Sequence, residues 1–447
     1  MEGKQNVLAL LVRNVPLRTA RSLSRTIMDL VADGKLVAGT RMPTVRDVAN
    51  AMAMSATSVA MAWRELVDWR VLETKRRGGT IVLGPPRAPR AARFDALTSK
   101  AATVPLNLGY TLSDPKLIPP LGPALAAAAA DPGINDYTPV PISPALRAVA
   151  TDMWPFPPKF LLATHGGVCA IEMALRTTVR PGDRVLVEVP SLPRVFDILE
   201  AIGATIVPLP RVNGGPDLNV LAQSLRSRPV ALVYQPFGHN PTGLSVTADW
   251  VHQAASLLRD EHVAVFELVL SPLLRRNQSR IRSIGQHLPH SVVHIQSFNF
   301  FFGHNVRVAV AGGSDYYIDR MWQSFTFSSR WVSRVLQDAV AFQLTDPSAG
   351  AHLRRFIDTC YSRHALFSEA LRAVGFELQE TEGPMIWLPV PDEKHVADAL
   401  LKDGIMTYGG SNFSPVLLAQ DFLSLNGTLL AEGHARIADL LARACGR

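Results

Sequence analysis

Residues 34–52 read GKLVAGTRMPTVRDVANAM and are followed, two residues later, by residues 55–82, SATSVAMAWRELVDWRVLETKRRGGTIV. Pro43 and Thr44 stand just before the apolar-periodic run that contains Val45 and Val48, so Thr44 is expected to cap a helix. Ser55 is expected to cap the next one, in which the helical period places Val59, Ala62 and Leu66 on one buried face. Upstream, Ser22 to Ala32 carries Leu23, Ile27, Leu30 and Val31 at the same spacing. Downstream, Lys75-Arg76-Arg77-Gly78-Gly79-Thr80-Ile81-Val82 reads as two short strands around a flexible tip. From Leu23 to about Gly84 the expected structure is three helices followed by a small β-wing.

The location of charge adds to this reading. The whole chain has a formal net charge of +7. Residues 1–100 hold 17 Lys+Arg against 8 Asp+Glu, which leaves 28 basic and 30 acidic residues for the remainder. The basic excess thus lies entirely in the first hundred residues, the electrostatic footprint of a polyanion-binding module joined to a nearly neutral body. Small hydroxyl residues in the first turn of the third helix, Thr57 and Ser58 after Ser55, allow a backbone to approach base edges and phosphates closely.

Three prolines in Gly84-Pro85-Pro86-Arg87-Ala88-Pro89-Arg90 forbid a helix there and mark a domain boundary. The expected division is residues 1–84, a linker over 85–104, and a second domain over 105–447. With 447 residues, at roughly 150 per domain, two or three domains are allowed. Beyond the break, short apolar runs at 184–188, 231–234 and 262–266 alternate with longer helical patterns, which predicts an α/β domain with a mostly parallel sheet. Cys169, Cys360 and Cys445 lie far apart and outside any CxxC or Cys/His cluster, so no disulfide framework and no metal site is expected. The N-terminal apolar core is six residues long, without a small-residue cleavage site, and no later stretch reaches about 18 uninterrupted apolar residues. A cytoplasmic protein without a membrane span is expected.

The segment 34–82 resembles the winged helix-turn-helix of the GntR regulators. That resemblance implies a double-stranded DNA operator as partner, with Arg41, Thr44, Arg46, Ser55, Thr57, Ser58, Lys75, Arg76, Arg77, Gly78 and Gly79 as the DNA-binding residues. One departure stands out: the family usually has arginine directly after the serine, and here the residue is Ala56.

The larger region resembles a fold-type I aminotransferase, the domain that MocR-type GntR regulators carry behind their DNA-binding module. The landmarks are Tyr137, Thr164-His165-Gly166-Gly167, Pro181-Gly182-Asp183-Arg184, His239-Asn240-Pro241-Thr242-Gly243 and Val306-Arg307-Val308. The resemblance implies pyridoxal phosphate, a homodimer and a smaller C-terminal α+β lobe. The family's Schiff-base lysine falls on Phe300 of Ser297-Phe298-Asn299-Phe300, and the chain has no lysine between Lys159 and Lys394. Without an amine no imine forms. Leu268 stands where the carboxylate that protonates the pyridine nitrogen is expected, Ser271 where a tyrosine is, Leu192 where the stacking aromatic is, and Ser424 where the substrate-clamping arginine is.

The reading is therefore a DNA-binding regulator without a catalytic residue, its aminotransferase-like domain a dimerisation body that lacks pyridoxal phosphate. Gly166, Gly167, Leu192, Asn240, Leu268, Phe300 and Arg307 are expected to frame a pocket for a small anionic effector. Arg307 is expected to be buried and in need of an anion. Two other readings compete: a pyridoxal phosphate-dependent aminotransferase with an N-terminal appendage, which Phe300 opposes, and a non-enzymatic interaction scaffold, which would show no salt-sensitive DNA affinity.

Overall fold

In the computed structural model, residues 2–75, 79–85, 91–98, 104–212, 214–275 and 281–447 are described, and the chain divides into two units between Arg90 and Ala91. The smaller unit has four helices: α1 (Glu2–Asn14), α2 (Ala20–Ala32), α3 (Val45–Met52) and α4 (Ala56–Asp68). Strands β1 (Leu72–Lys75) and β2 (Gly79–Val82) pair antiparallel behind them. Thr44 caps α3 through a reciprocal capping box with Asp47, and Ser55 caps α4 by accepting from Ser58 N. Val59, Ala62 and Leu66 are fully buried, packed with Leu23, Ile27 and Val48 in one core. Helix α1 is an addition to the expected set. It joins the core through Val7 and Leu11, apolar residues whose run is far too short to signal a membrane span but suits one helical face.

The 85–104 stretch, expected to be a linker, is in part a helix. Within it α5 (Ala92–Thr98) docks on the second unit. The Asp197 carboxylate accepts from Arg93 N and Phe94 N, both at 3.1 Å, and the Arg93 guanidinium forks onto Glu200 at 2.6 and 2.7 Å. Leu97 is buried beside Met406, Tyr408 and Phe413. The helix is held by partners about a hundred or more residues away in the chain, which no local pattern announces.

The second unit is α/β, as expected. After β3 (Leu106–Asn107), eight strands form one sheet: β4 (Phe160–Thr164), β5 (Arg184–Val189), β6 (Thr205–Val212), β7 (Gly215–Pro216), β8 (Ala231–Tyr234), β9 (Ala264–Val269), β10 (Val292–Ser297) and β11 (Ala309–Gly313). Their spatial order is β4-β11-β10-β9-β8-β5-β6-β7, with β10, β9, β8, β5 and β6 mutually parallel and β11 antiparallel to both its neighbours. Every residue of β8, β9, β10 and β11 is buried, the pattern of a sheet covered on both faces. A smaller lobe follows, where β12 (Met385–Pro389), β13 (Ile405–Met406), β14 (Tyr408–Gly409) and β15 (Phe422–Asn426) arise. There β12, β15 and β14 form a three-stranded antiparallel sheet, and β13 pairs with β3.

Strand β9 is anchored by a buried carboxylate. Glu267 accepts from Tyr234 OH at 2.5 Å, Ser283 Oγ at 2.6 Å and Ile284 N at 2.8 Å, and bonds His294 Nδ1 at 2.6 Å. All its acceptor capacity is used, the condition under which a buried charge is tolerated. Removal of one member of such a network costs about 3–5 kcal/mol. Glu267→Ala is accordingly expected to lower the unfolding midpoint of the larger unit in a urea titration while leaving the transition of the smaller unit in place.

Candidate functional site

On the smaller unit, the residues expected to face DNA divide into three groups. Arg41, Arg46 and Thr57 are exposed. Arg41 lies beside the wing, where its segment bridges to Ile81 and Met42 N donates to Thr80 O. Thr44, Ser55 and Ser58 are committed to caps: the Thr44 hydroxyl accepts from Asp47 N at 3.2 Å, and the Ser55 and Ser58 hydroxyls bond each other at 2.8 Å. Gly79 has φ +76, which suits glycine at the wing turn. Arg76, Arg77 and Gly78 lie outside the described residues, as does the side chain of Lys75.

On the larger unit, β4 runs parallel to β10 because both are antiparallel to β11, so the carboxyl ends of β4, β9 and β10 lie on one side of the sheet, where open α/β sheets bind ligands. The end of β4 leads through Gly166, at φ +93, into the helix Gly167–Thr178. A methyl group at Gly166 would lie 3.0 Å from Asn299 Nδ2, and one at Gly167 would lie 3.1 Å from both Leu268 Cδ1 and Ser297 Cβ. Close approach by these side chains demands both glycines. The backbone amides at this helix start face a cavity of about 130 Å³.

Four of the seven expected pocket residues line that cavity: Gly166, Gly167, Phe300 and Arg307. Leu268 does not line it; its Cδ1 lies beside Gly167, on the side where a β-carbon would point. Asn240 stands behind the wall, its side-chain amide donating to Thr111 Oγ1, and Thr111 itself lines the cavity. Leu192 does not line it; half-buried, it precedes the helix Pro193–Ile202 and packs on the main core. Sequence reasoning missed Thr111, Val168, Leu270, Ser297, Asn299 and His304. Ser297, Asn299 and His304 flank residues already singled out, and their proximity to Phe300 and Arg307 in the chain was the available signal. Thr111 comes from a distant segment and had none.

Contrary to expectation, Arg307 is exposed. It adopts φ +52 and makes no hydrogen bond or ion pair among the described residues. Strand β11 begins only at Ala309, and the preceding loop carries the guanidinium to the rim of the cavity. Desolvation, reinforced by the Arg307 charge, holds the His165 and His304 imidazoles below their ordinary range. Asn299 Oδ1, Asn240 Oδ1 and Ser271 Oγ are buried without a hydrogen-bond partner among the described residues. One end of the site thus suits an anion, and of these unspent polar atoms that of Asn299 belongs to the cavity wall.

The other end is apolar. Phe300 is 3 % exposed, edge-on to Phe301 at 5.3 Å and to Phe356 at 5.8 Å. The strand pleat sends Glu267 to its buried network and Leu268 toward Gly167, so the carboxylate of β9 does not face the cavity. For pyridoxal phosphate the fit is partial: the helix start, Ser297 and Arg307 suit a phosphate, but among the described residues no lysine and no carboxylate lines the cavity.

The chain belongs to the aminotransferase class I and II family, whose profile matches residues 109–420, and the bacterial regulatory proteins of the gntR family match residues 19–82. It is 27 % identical over 411 residues to the vitamin B6 salvage pathway transcriptional repressor PtsJ of Salmonella typhimurium, across 89 % of this chain and 91 % of that protein. It is 24 % identical to the uncharacterized HTH-type transcriptional regulator YdcR of Escherichia coli, across 83 % and 86 % of the two chains. In fold it is similar to an archaeal alanine:glyoxylate aminotransferase, with a TM-score of 0.70 at 17 % identity, over 79 % of this chain and 93 % of that one. The chain thus joins a GntR helix-turn-helix unit to a fold-type I aminotransferase domain and is homologous to MocR-type regulators. Among the described residues no helix is long and apolar enough to cross a membrane, and no group of three or more His, Cys, Asp or Glu could hold a metal ion.

Loss of a neighbouring positive charge raises an imidazole pKa. Arg307→Ala is expected to move the His165 and His304 titrations upward, toward but not reaching the ordinary value, because desolvation is the larger cause and remains. Proton NMR of the imidazole resonances across pH 4–8 measures this; unchanged titrations contradict the placement of Arg307.

Proposed function

We propose that the chain is a cytoplasmic, nucleoid-associated transcriptional regulator that binds operator DNA as a homodimer, and whose aminotransferase-like unit neither holds pyridoxal phosphate nor transaminates. The observation that carries this is Phe300: buried among Phe301 and Phe356, it fills the position where the resemblance places the lysine, and no lysine occurs from 160 to 393. The smaller unit supplies the DNA-facing surface, with Arg41, Arg46 and Thr57 exposed and the basic excess of the chain concentrated around it. A two-fold body suits two paired half-sites.

The retained half of the cleft supports an effector reading. A small anion is held by the helix start at Gly167 and by Arg307, with a hydrogen-bond donor on the same molecule for Asn299 Oδ1. The volume of about 130 Å³ is below the roughly 300–1,000 Å³ of drug-sized sites, so the effector is small. The vitamin B6 connection belongs to PtsJ by its printed name; this chain aligns with it over most of both lengths but has no lysine from 160 to 393 to form a Schiff base in the cleft.

Three outcomes test the proposal. Full-length protein is expected to bind duplex DNA with an affinity that falls about a thousand-fold or more between 50 and 200 mM salt, the range for six to ten phosphate contacts. Arg46→Ala should weaken that binding across all sequences; salt-independent binding, or none, contradicts the regulator reading. Protein mixed with pyridoxal phosphate and then freed of the unbound compound is expected to retain no stoichiometric cofactor absorbance. One tightly held equivalent per chain contradicts the cofactor-free reading. Inorganic phosphate is expected to raise the melting temperature of the larger unit, and Arg307→Ala to remove that effect.

A further inference from the structure

The outward face of α4 carries a chemistry different from the arginine-led recognition helix of the resembled family. Val59, Ala62, Trp63 and Leu66 are buried and define the inner face. At about 100° per residue, Thr57, Met61 and Arg64 fall opposite them. Met61 is 57 % exposed, and Ala56, Thr57 and Arg64 are exposed too. The Ser55 and Ser58 hydroxyls bond each other, Ser55 Oγ also accepts from Ser58 N, and Ser58 lies on the flank with Glu65, which accepts from Ser24 Oγ at 2.7 Å. Directly opposite the buried face, the first two turns therefore present Thr57 and Met61, a stripe of methyl groups and one thioether in which the Thr57 hydroxyl is the polar group.

The major groove offers one apolar feature among its base-pair edges, the 5-methyl group of thymine. Resting on the DNA-binding reading above, we infer that α4 reads its operator through thymine methyl groups packed against Met61 and Thr57, and not through an arginine directed at guanine. A guanine opposite Met61 presents two acceptors to a side chain without a donor, and their desolvation is uncompensated. A thymine there presents its methyl, and contact removes apolar surface from water on both partners. Arg64 lies about 4.5 Å further along the axis, three residues at 1.5 Å each. It remains free to meet a phosphate and fix register.

The test uses the full-length chain. Duplexes are selected from a random-sequence pool, and the enriched duplex is remade with single deoxyuridine replacements, which delete the methyl and keep every hydrogen-bonding group. Replacement at one or two thymines of each half-site is expected to weaken binding about fourfold, the equivalent of one buried methyl. In Met61→Ala the same replacements should lose their effect, and in Met61→Leu they should regain it, while the salt dependence of both variants stays that of the unmodified protein. Because Met61 is exposed, both variants are expected to melt at the unmodified temperature. Deoxyuridine replacements without effect at every position, or a selected site with no thymine in the footprint of α4, overturn the inference and leave DNA binding standing. Failure to bind any duplex overturns both this inference and the regulator reading.

Discussion

The carboxylate of Glu267, fully buried, joins four segments of the larger unit at one point: β8 through Tyr234, the 283–284 turn, β10 through His294, and its own strand β9. A buried carboxylate without such partners is strongly unfavourable, so the network dictates which face of β9 turns toward it. Side chains alternate along a strand, and Leu268 consequently points toward the helix start at Gly167. The chemistry of the cleft follows from that orientation: the β9 carboxylate is turned away and a leucine takes its place.

The cleft has a half suited to an anion and an apolar half. Its anion half is a property of backbone and loop geometry: two glycines permit the close approach of Asn299, Leu268 and Ser297, and Arg307 in a left-handed conformation brings a cation to the rim. Its apolar half is a matter of single side chains: Phe300 with its neighbours Phe301 and Phe356 is part of the core. Aromatic side chains in such edge-on contact stabilise the fold by burial and ring geometry.

The smaller unit shows the same economy in a different form. Its polar residues near the start of α3 and α4 act largely within the chain, as caps, and the surface left outward is small and apolar at one end and cationic beyond it. Helix caps of this kind contribute about 1 kcal/mol each, which in a unit of some ninety residues is a sizeable share of its stability.

The sequence by itself determined the order of the two units, the capping of α3 by Thr44 and of α4 by Ser55, the wing, the buried face of α4 and the mostly parallel sheet. Each rests on a local signal: a cap residue before a periodic run, a run of apolar residues, a proline cluster. The grouping of Phe300, Gly166, Gly167 and Arg307 at one site came from the resemblance to fold-type I aminotransferases and not from a local signal, since Gly166 and Phe300 lie far apart in the chain. Only the tertiary structure decided that Arg307 is exposed, that Thr111 belongs to the cavity and Leu192 does not, and that Ala92–Thr98 is a helix. It also decided that the Ser55 and Ser58 hydroxyls serve each other. These depend on partners far apart in sequence or on which way a loop turns, as with the Asp197 carboxylate on the amides of Arg93 and Phe94, and a periodic pattern carries no information about either.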